Sequence, residues 1–136
     1  MEDIFADQMP CDLDADIVDI PPEDYGIWFV DAMDHPDRYV GKTLRFKARA
    51  RRPRGMGSKF FIPGRTAMTC CADDTSFLGY ICKSAYAPKL KQGEWVEVTA
   101  KAAYENRTEY QGEGIVLYAE NVSPCEPLAD EMVYFN

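Results

Sequence analysis

Two cysteines and two aspartates within five positions, Cys70, Cys71, Asp73 and Asp74, form the densest group of chemically capable side chains in the sequence. Thiolate and carboxylate together suit Zn²⁺ or another thiophilic ion, although structural zinc is usually held by C-x₂₋₄-C pairs in duplicate. Adjacent residues of a regular strand point to opposite faces, so Cys70 and Cys71 can share one ion only where the strand breaks. The turn residues that follow supply such a break. A structural role for the two thiols and thiol redox chemistry are the competing readings, and Arg65 is the one nearby group able to lower a thiol pKa. If the flanking strands pair with Cys71 facing Leu78, Cys82 lies four residues along the ladder, roughly 13 Å away at ~3.3 Å per residue, and is no third ligand.

A second group is a row of cations. Residues 43–51 alternate Leu44, Phe46, Ala48 and Ala50 with Arg45, Lys47, Arg49 and Arg51, which puts four positive charges on one face at a spacing of about 6.6 Å. Such a face suits an anion, a protein partner or a single-stranded nucleic-acid backbone. The formal charge is −8, with twelve carboxylates and no Lys or Arg in residues 1–37, and ten Lys or Arg and no carboxylate in residues 38–65. The expectation is that the acidic arm screens the basic strand, and that nucleic acid is disfavoured as a partner. Phe60, Phe61, Trp95, Tyr104 and Tyr110 could stack bases, but core packing is expected to account for most of them.

Catalytic constellations do not assemble. His35 is the single histidine and sits before a proline at a helix end, where a capping or surface role is expected. There is no Gly-rich phosphate loop, no H-E-x-x-H and no Ser-His-Asp or Cys-His arrangement, so the chain reads as a non-enzyme. Five cysteines at irregular spacing do not make a secreted disulfide framework, and Cys11, Cys82 and Cys125 read as buried or incidental thiols. No apolar run approaches the ~20 residues needed to span a bilayer, and the first residues lack the basic and apolar regions of a signal peptide. The chain as given reads as cytoplasmic and not inserted in a membrane, with an extracytoplasmic domain of a membrane protein as the alternative.

The elements that must position these groups follow from periodicity. Residues 1–20 read as an acidic N-terminal arm, and 21–136 as one domain with a helix over 22–34. Proline and carboxylates open that helix, and Tyr25, Trp28, Phe29, Ala32 and Met33 form its apolar stripe. Five strands follow, over 43–51, 59–70 with a bulge at Pro63-Gly64, 77–83, 94–104 and 115–122, with a polar loop at 105–114. Five short strands in about 80 residues predict a mainly β protein, a five-stranded OB-like barrel. Residues 84–93 are too short and too interrupted for the helix usual between the third and fourth strands, so the N-terminal helix is expected to plug the barrel end in its place.

Four stretches in this order carry a family resemblance: the helix running into His35-Pro36-Asp37-Arg38-Tyr39-Val40-Gly41-Lys42, the strand Leu44-Arg45-Phe46-Lys47-Ala48, the segment Arg65–Asp74, and Gly93-Glu94-Trp95-Val96-Glu97-Val98. The closing Val133-Tyr134-Phe135 adds to it. Over residues 22–136 the chain resembles the C-terminal domain of the YcgQ-like family, subunits associated with predicted permeases. The resemblance implies an OB-like domain that works beside a permease and brings no catalytic role. It also places Cys71 and Asp74 at the family's Cys and Asp positions and Cys70 where relatives can carry His, while Asp73 stands where the family often has alanine. Two functions are therefore expected: a binding module holding a zinc-like ion through Cys70, Cys71, Asp73 and Asp74, or an adaptor docking on a permease-type or GTPase partner. A third, OB-type binding of single-stranded nucleic acid through Arg45, Lys47, Arg49 and Arg51, ranks below them.

Overall fold

Strict alternation in residues 43–51 leaves one face apolar, and that face becomes barrel interior. A computed structural model describes residues 12–68 and 75–133. Its strands are β1 (Ile17–Asp19), β2 (Thr43–Arg51), β3 (Phe60–Met68), β4 (Thr75–Gly79), β5 (Ile81–Lys83), β6 (Trp95–Arg107), β7 (Gly112–Pro124) and β8 (Met132–Val133), and its helix α1 is Tyr25–Asp34. Along β2, Leu44, Phe46, Ala48 and Ala50 are buried while the cations between them are not. β2 pairs antiparallel with β6, β6 with β7, β7 runs parallel to β5, β5 pairs with β3, and β3 returns to β2. That circuit closes a five-stranded OB-like barrel.

Two features interrupt the circuit and both have a sequence cause. Pro63 has no N–H to give the ladder, and the stretch expected as one strand over 77–83 accordingly breaks at Tyr80 into β4 and β5. β3 meets β2 only at Arg49↔Gly64 to Arg51↔Ile62, so the two strands diverge beyond Gly64. The chain's two ends fill that seam: β1 lies parallel to the first residues of β2, and β8 lies parallel to β3 at Thr66 and Ala67. Val18, Ile20 and Val133 are thereby buried in the core. The last residues of the expected arm are part of the packed domain.

The helix closes the barrel end, as its stripe demands. A 3₁₀ turn at Pro22–Asp24 precedes it, and Tyr25, Trp28, Phe29 and Ala32 are buried. Trp28 packs on Phe46 (ring centroids 5.3 Å apart) and edge-on to Tyr80 (5.6 Å), and Phe29 stacks on Tyr80 at 4.6 Å. Met33, expected in the stripe, is instead 59% exposed, because the packed face ends at Ala32. Buried Asp31 accepts hydrogen bonds from Arg38 Nη1 and Tyr39 Oη, each at 2.6 Å, and so ties the helix to the turn leading into β2. Residues 84–94 hold only the 3₁₀ turn Ala87–Lys89, and α1 takes the helix's place. The polar stretch expected as a loop over 105–114 is mostly ladder. β6 and β7 pair out to Arg107↔Gly112 around a 3₁₀ turn at Thr108–Tyr110, with Gln111 in the left-handed region at φ 55°. A ribbon hydrated on both faces needs no apolar alternation, which is why polarity there misread as loop.

Candidate binding face

The cationic row on β2 is real, but its four members have different surroundings. Arg45 donates from Nε and Nη2 to the two carboxylate oxygens of Asp19 at 2.6 and 2.8 Å, a bidentate pair that holds the guanidinium charged. Lys47 stands across the ladder from Glu97. Arg49 pairs with Glu131 at 3.0 Å, donates to the Gly93 carbonyl at 3.1 Å and lies 5.9 Å from the Trp95 ring. Arg51, at the exposed end of the strand, lies over the Phe77 ring at 3.9 Å. Among the described residues no carboxylate forms an ion pair with Arg51, Arg52, Arg54 or Lys59. The expected screening is therefore graded. Asp19 and Glu131 neutralise Arg45 and Arg49, and among the described residues no carboxylate pairs with the cations towards the β2–β3 connection.

Phe77 reaches Arg51 because two glycines let it. Gly64 and Gly79 face each other across β3 and β4, and a Cβ on Gly64 would lie 2.6 Å from the Phe77 ring. The ring packs close against bare backbone, and the Arg51 guanidinium lies over it. Arg49, Arg51, Thr66, Phe77, Gln92 and Gly93 line a groove of about 410 Å³ on the barrel's outer surface. It offers two guanidinium groups, one aromatic face, a hydroxyl and a side-chain amide. That set suits a carboxylate or phosphate attached to a planar or apolar group. Next to it, Phe60 carries Arg107 at 4.5 Å and Lys83 at 5.9 Å. Of the five aromatic residues singled out in the sequence, Phe61 is fully buried, Phe60, Trp95 and Tyr110 are half-buried, and Tyr104 is exposed.

The thiol and carboxylate group behaves differently. Cys70, Cys71, Asp73 and Asp74 lie outside the described residues, between the end of β3 at Met68 and the start of β4 at Thr75. The register that pairs Met68 with Thr75 sets Arg65 opposite Leu78, so Cys71 does not face Leu78. Cys82, opposite Phe61, is wholly buried, and burial pushes its thiol up to about 12. Cys125 is half-buried, and its thiol is raised by the same cause. Among the described residues no three His, Cys, Asp or Glu side chains gather as a metal site.

Arg65 is the residue whose role the sequence reading missed. Its guanidinium donates to the carbonyls of Pro22 (3.0 Å), Asp130 (3.3 Å), Glu131 and Met132 (both 3.4 Å), and it lies 5.6 Å from the Tyr25 ring. Burial disfavours its charged form, and these carbonyl oxygens compensate. Parity was the available signal: Arg65 shares the inward face of β3 with Phe61 and Ala67.

The model of the DUF1980 C-terminal domain matches residues 4–135 of this sequence. The chain belongs to that family. No curated protein sequence matches this DUF1980 domain. Among solved structures it is similar to aspartyl-tRNA synthetases from Leishmania major Friedlin (14% identity, TM-score 0.41) and Entamoeba histolytica (15%, 0.40). The likeness covers 78% and 77% of the domain but only 20% and 22% of those chains. It is also similar to the mitochondrial single-stranded DNA binding protein Rim1 from S. cerevisiae, at 13% identity and TM-score 0.34 over 61% of the domain and 93% of that chain. Among the described residues no helix is long and apolar enough to cross a membrane.

Proposed function

We propose that this DUF1980 domain is a non-catalytic binding module that takes a short anionic segment of a protein partner in the Arg49–Arg51–Phe77 groove. The observation that carries the reading is Arg51, stacked on Phe77 and without a carboxylate partner among the described residues. Short follows from charge. Asp19, Glu97 and Glu131 punctuate the row on β2, and with a net charge of −8 they repel a long polyanion that one or two acidic groups can avoid. The YcgQ-like resemblance supplies a setting, a subunit beside a permease, and a GTPase is the other partner of suitable kind.

Fluorescence anisotropy with an oligoglutamate peptide and an oligothymidylate of equal length tests this. Peptide binding at low salt, lost in Arg51→Glu and weakened by salt, is the expected result, with no oligothymidylate binding near ~0.15 M salt. Submicromolar oligothymidylate binding at that salt, lost in Arg49→Glu, would make nucleic acid the ligand. Deleting residues 1–20 is a poor way to unmask the row because Val18 and Ile20 are core; Asp19→Asn frees Arg45 without that damage. The zinc-like reading of Cys70, Cys71, Asp73 and Asp74 rests on sequence alone. Elemental analysis under reducing conditions decides it, stoichiometric metal for and none against.

A further inference from the structure

The β6–β7 ribbon outruns the barrel and meets the end of α1. Directly paired residues share a face, so the buried pair Ala102↔Leu117 is continued on the same face by Tyr104↔Ile115 and then Asn106↔Glu113. Ile115 is still core, but Tyr104 is 46% exposed and Glu113 is exposed. With Phe29 and Met33 of α1, and with Tyr80 and Tyr110, they border a pocket of about 280 Å³. That is close to the small end of ligand pockets, about 300 Å³.

Its aromatic walls are fixed. Tyr80 stacks on Phe29 and donates its hydroxyl to the Phe29 carbonyl at 2.5 Å. The Tyr110 hydroxyl accepts the Ile81 N–H and donates to the Ile115 carbonyl, both at 2.7 Å, while its ring lies over Gly114, where a Cβ would come within 2.7 Å of it. The rings therefore present π-faces and edges, with the Tyr80 and Tyr110 hydroxyls already committed. Among the described residues no Lys or Arg lines the pocket, and Glu113 is the one carboxylate.

We infer that this pocket binds a methylated ammonium group. Several aromatic rings, one carboxylate and no competing cation among the described lining residues are what recognises a charge that cannot donate a hydrogen bond. The pocket shares no lining residue with the Arg49–Arg51–Phe77 groove, although Gly79 on its border pairs with Gly64 beside Phe77.

Titrations of the intact chain with tetramethylammonium, choline, N-trimethyllysine and the neutral isostere 3,3-dimethylbutan-1-ol, followed by amide NMR, test the inference. Saturable shifts centred on Tyr104, Gly114 and Ile115 are expected for the ammonium probes, with the neutral isostere about fivefold weaker or more. Comparing choline with trimethyllysine shows whether a small metabolite or a modified side chain fits better. Tyr104→Ala and Glu113→Gln change exposed positions, so they should fold as the parent does while weakening binding about threefold each. Equal binding of the isostere would leave only an apolar pocket and overturn the inference. So would shifts that map elsewhere, or affinity unchanged in both variants.

Discussion

A single buried arginine does more for this domain than any of the exposed ones. The Arg65 guanidinium gathers carbonyls from Pro22 on one side and Asp130, Glu131 and Met132 on the other, so it holds both chain ends against β3. Arg65→Met keeps much of the stem's packing but leaves those carbonyls without a donor. A loss on the order of 3 kcal/mol in denaturant melts is expected, from several charge-assisted hydrogen bonds removed together. Native-state hydrogen exchange should show Ile20 and the β8 amides losing protection before β6 and β7 do. Uniform loss across all strands would mean that Arg65 supports the barrel generally rather than the ends. Arg65→Lys is expected to recover only part of the loss, since one ammonium lacks the planar fork.

Among the elements, the Gly64 and Gly79 pair decides whether the groove exists. A Cβ on Gly64 would sit 2.5 Å from the Leu78 carbonyl oxygen, and one on Gly79 would sit 2.6 Å from that of Pro63. Gly64→Ala must therefore move backbone and lift Phe77. It should cost about 1–3 kcal/mol and weaken anionic-peptide binding along with stability. Stability within error of the parent, or binding unchanged, would show that Phe77 does not need that bare strand. The elements also show where periodicity is legible. The whole of β2, the apolar face of α1 up to Ala32 and the inner face of β6 could be read because each repeats over several residues against one dry surface. The β4–β5 break, the outer reach of the β6–β7 ribbon and the β1 and β8 pairings could not. They depend on which strand lies opposite, on a missing N–H at Pro63 and on edges left open by a distant divergence. The groove falls between these cases: its arginines were evident, but Phe77, Thr66 and Gln92 come from segments that only the closed barrel brings together.

For the molecule as a whole, alkaline pH is the condition that the core resists least. Burial raises Cys82 from 9.0 to about 12 and Tyr110 from 10.0 to about 12, and it raises Tyr25 and Tyr80 in the same direction. In the unfolded chain these groups lose their protons first, so unfolding releases protons above pH 9 and stability falls as pH rises. Below that pH their contribution is complete, and it drains away between about pH 9 and 12. Melting midpoints should be flat with respect to these groups from pH 7 to about 8.5, then decline, with Cys82 inert to thiol reagents until the decline sets in. A midpoint level to pH 11 would contradict the burial of these side chains. The seam filled by β1 and β8 has a consequence of another kind, a mechanical one. β1 and β8, the described strands nearest the chain ends, are held by three and two residue pairs, and Pro22 just after β1 and Asp130 just before β8 both accept from the one Arg65 guanidinium. A tug on either end loads that fastening before it reaches the closed circuit of five strands. The ends would then peel away as slack, and the barrel with its groove would stay whole under a pull that had already lengthened the molecule.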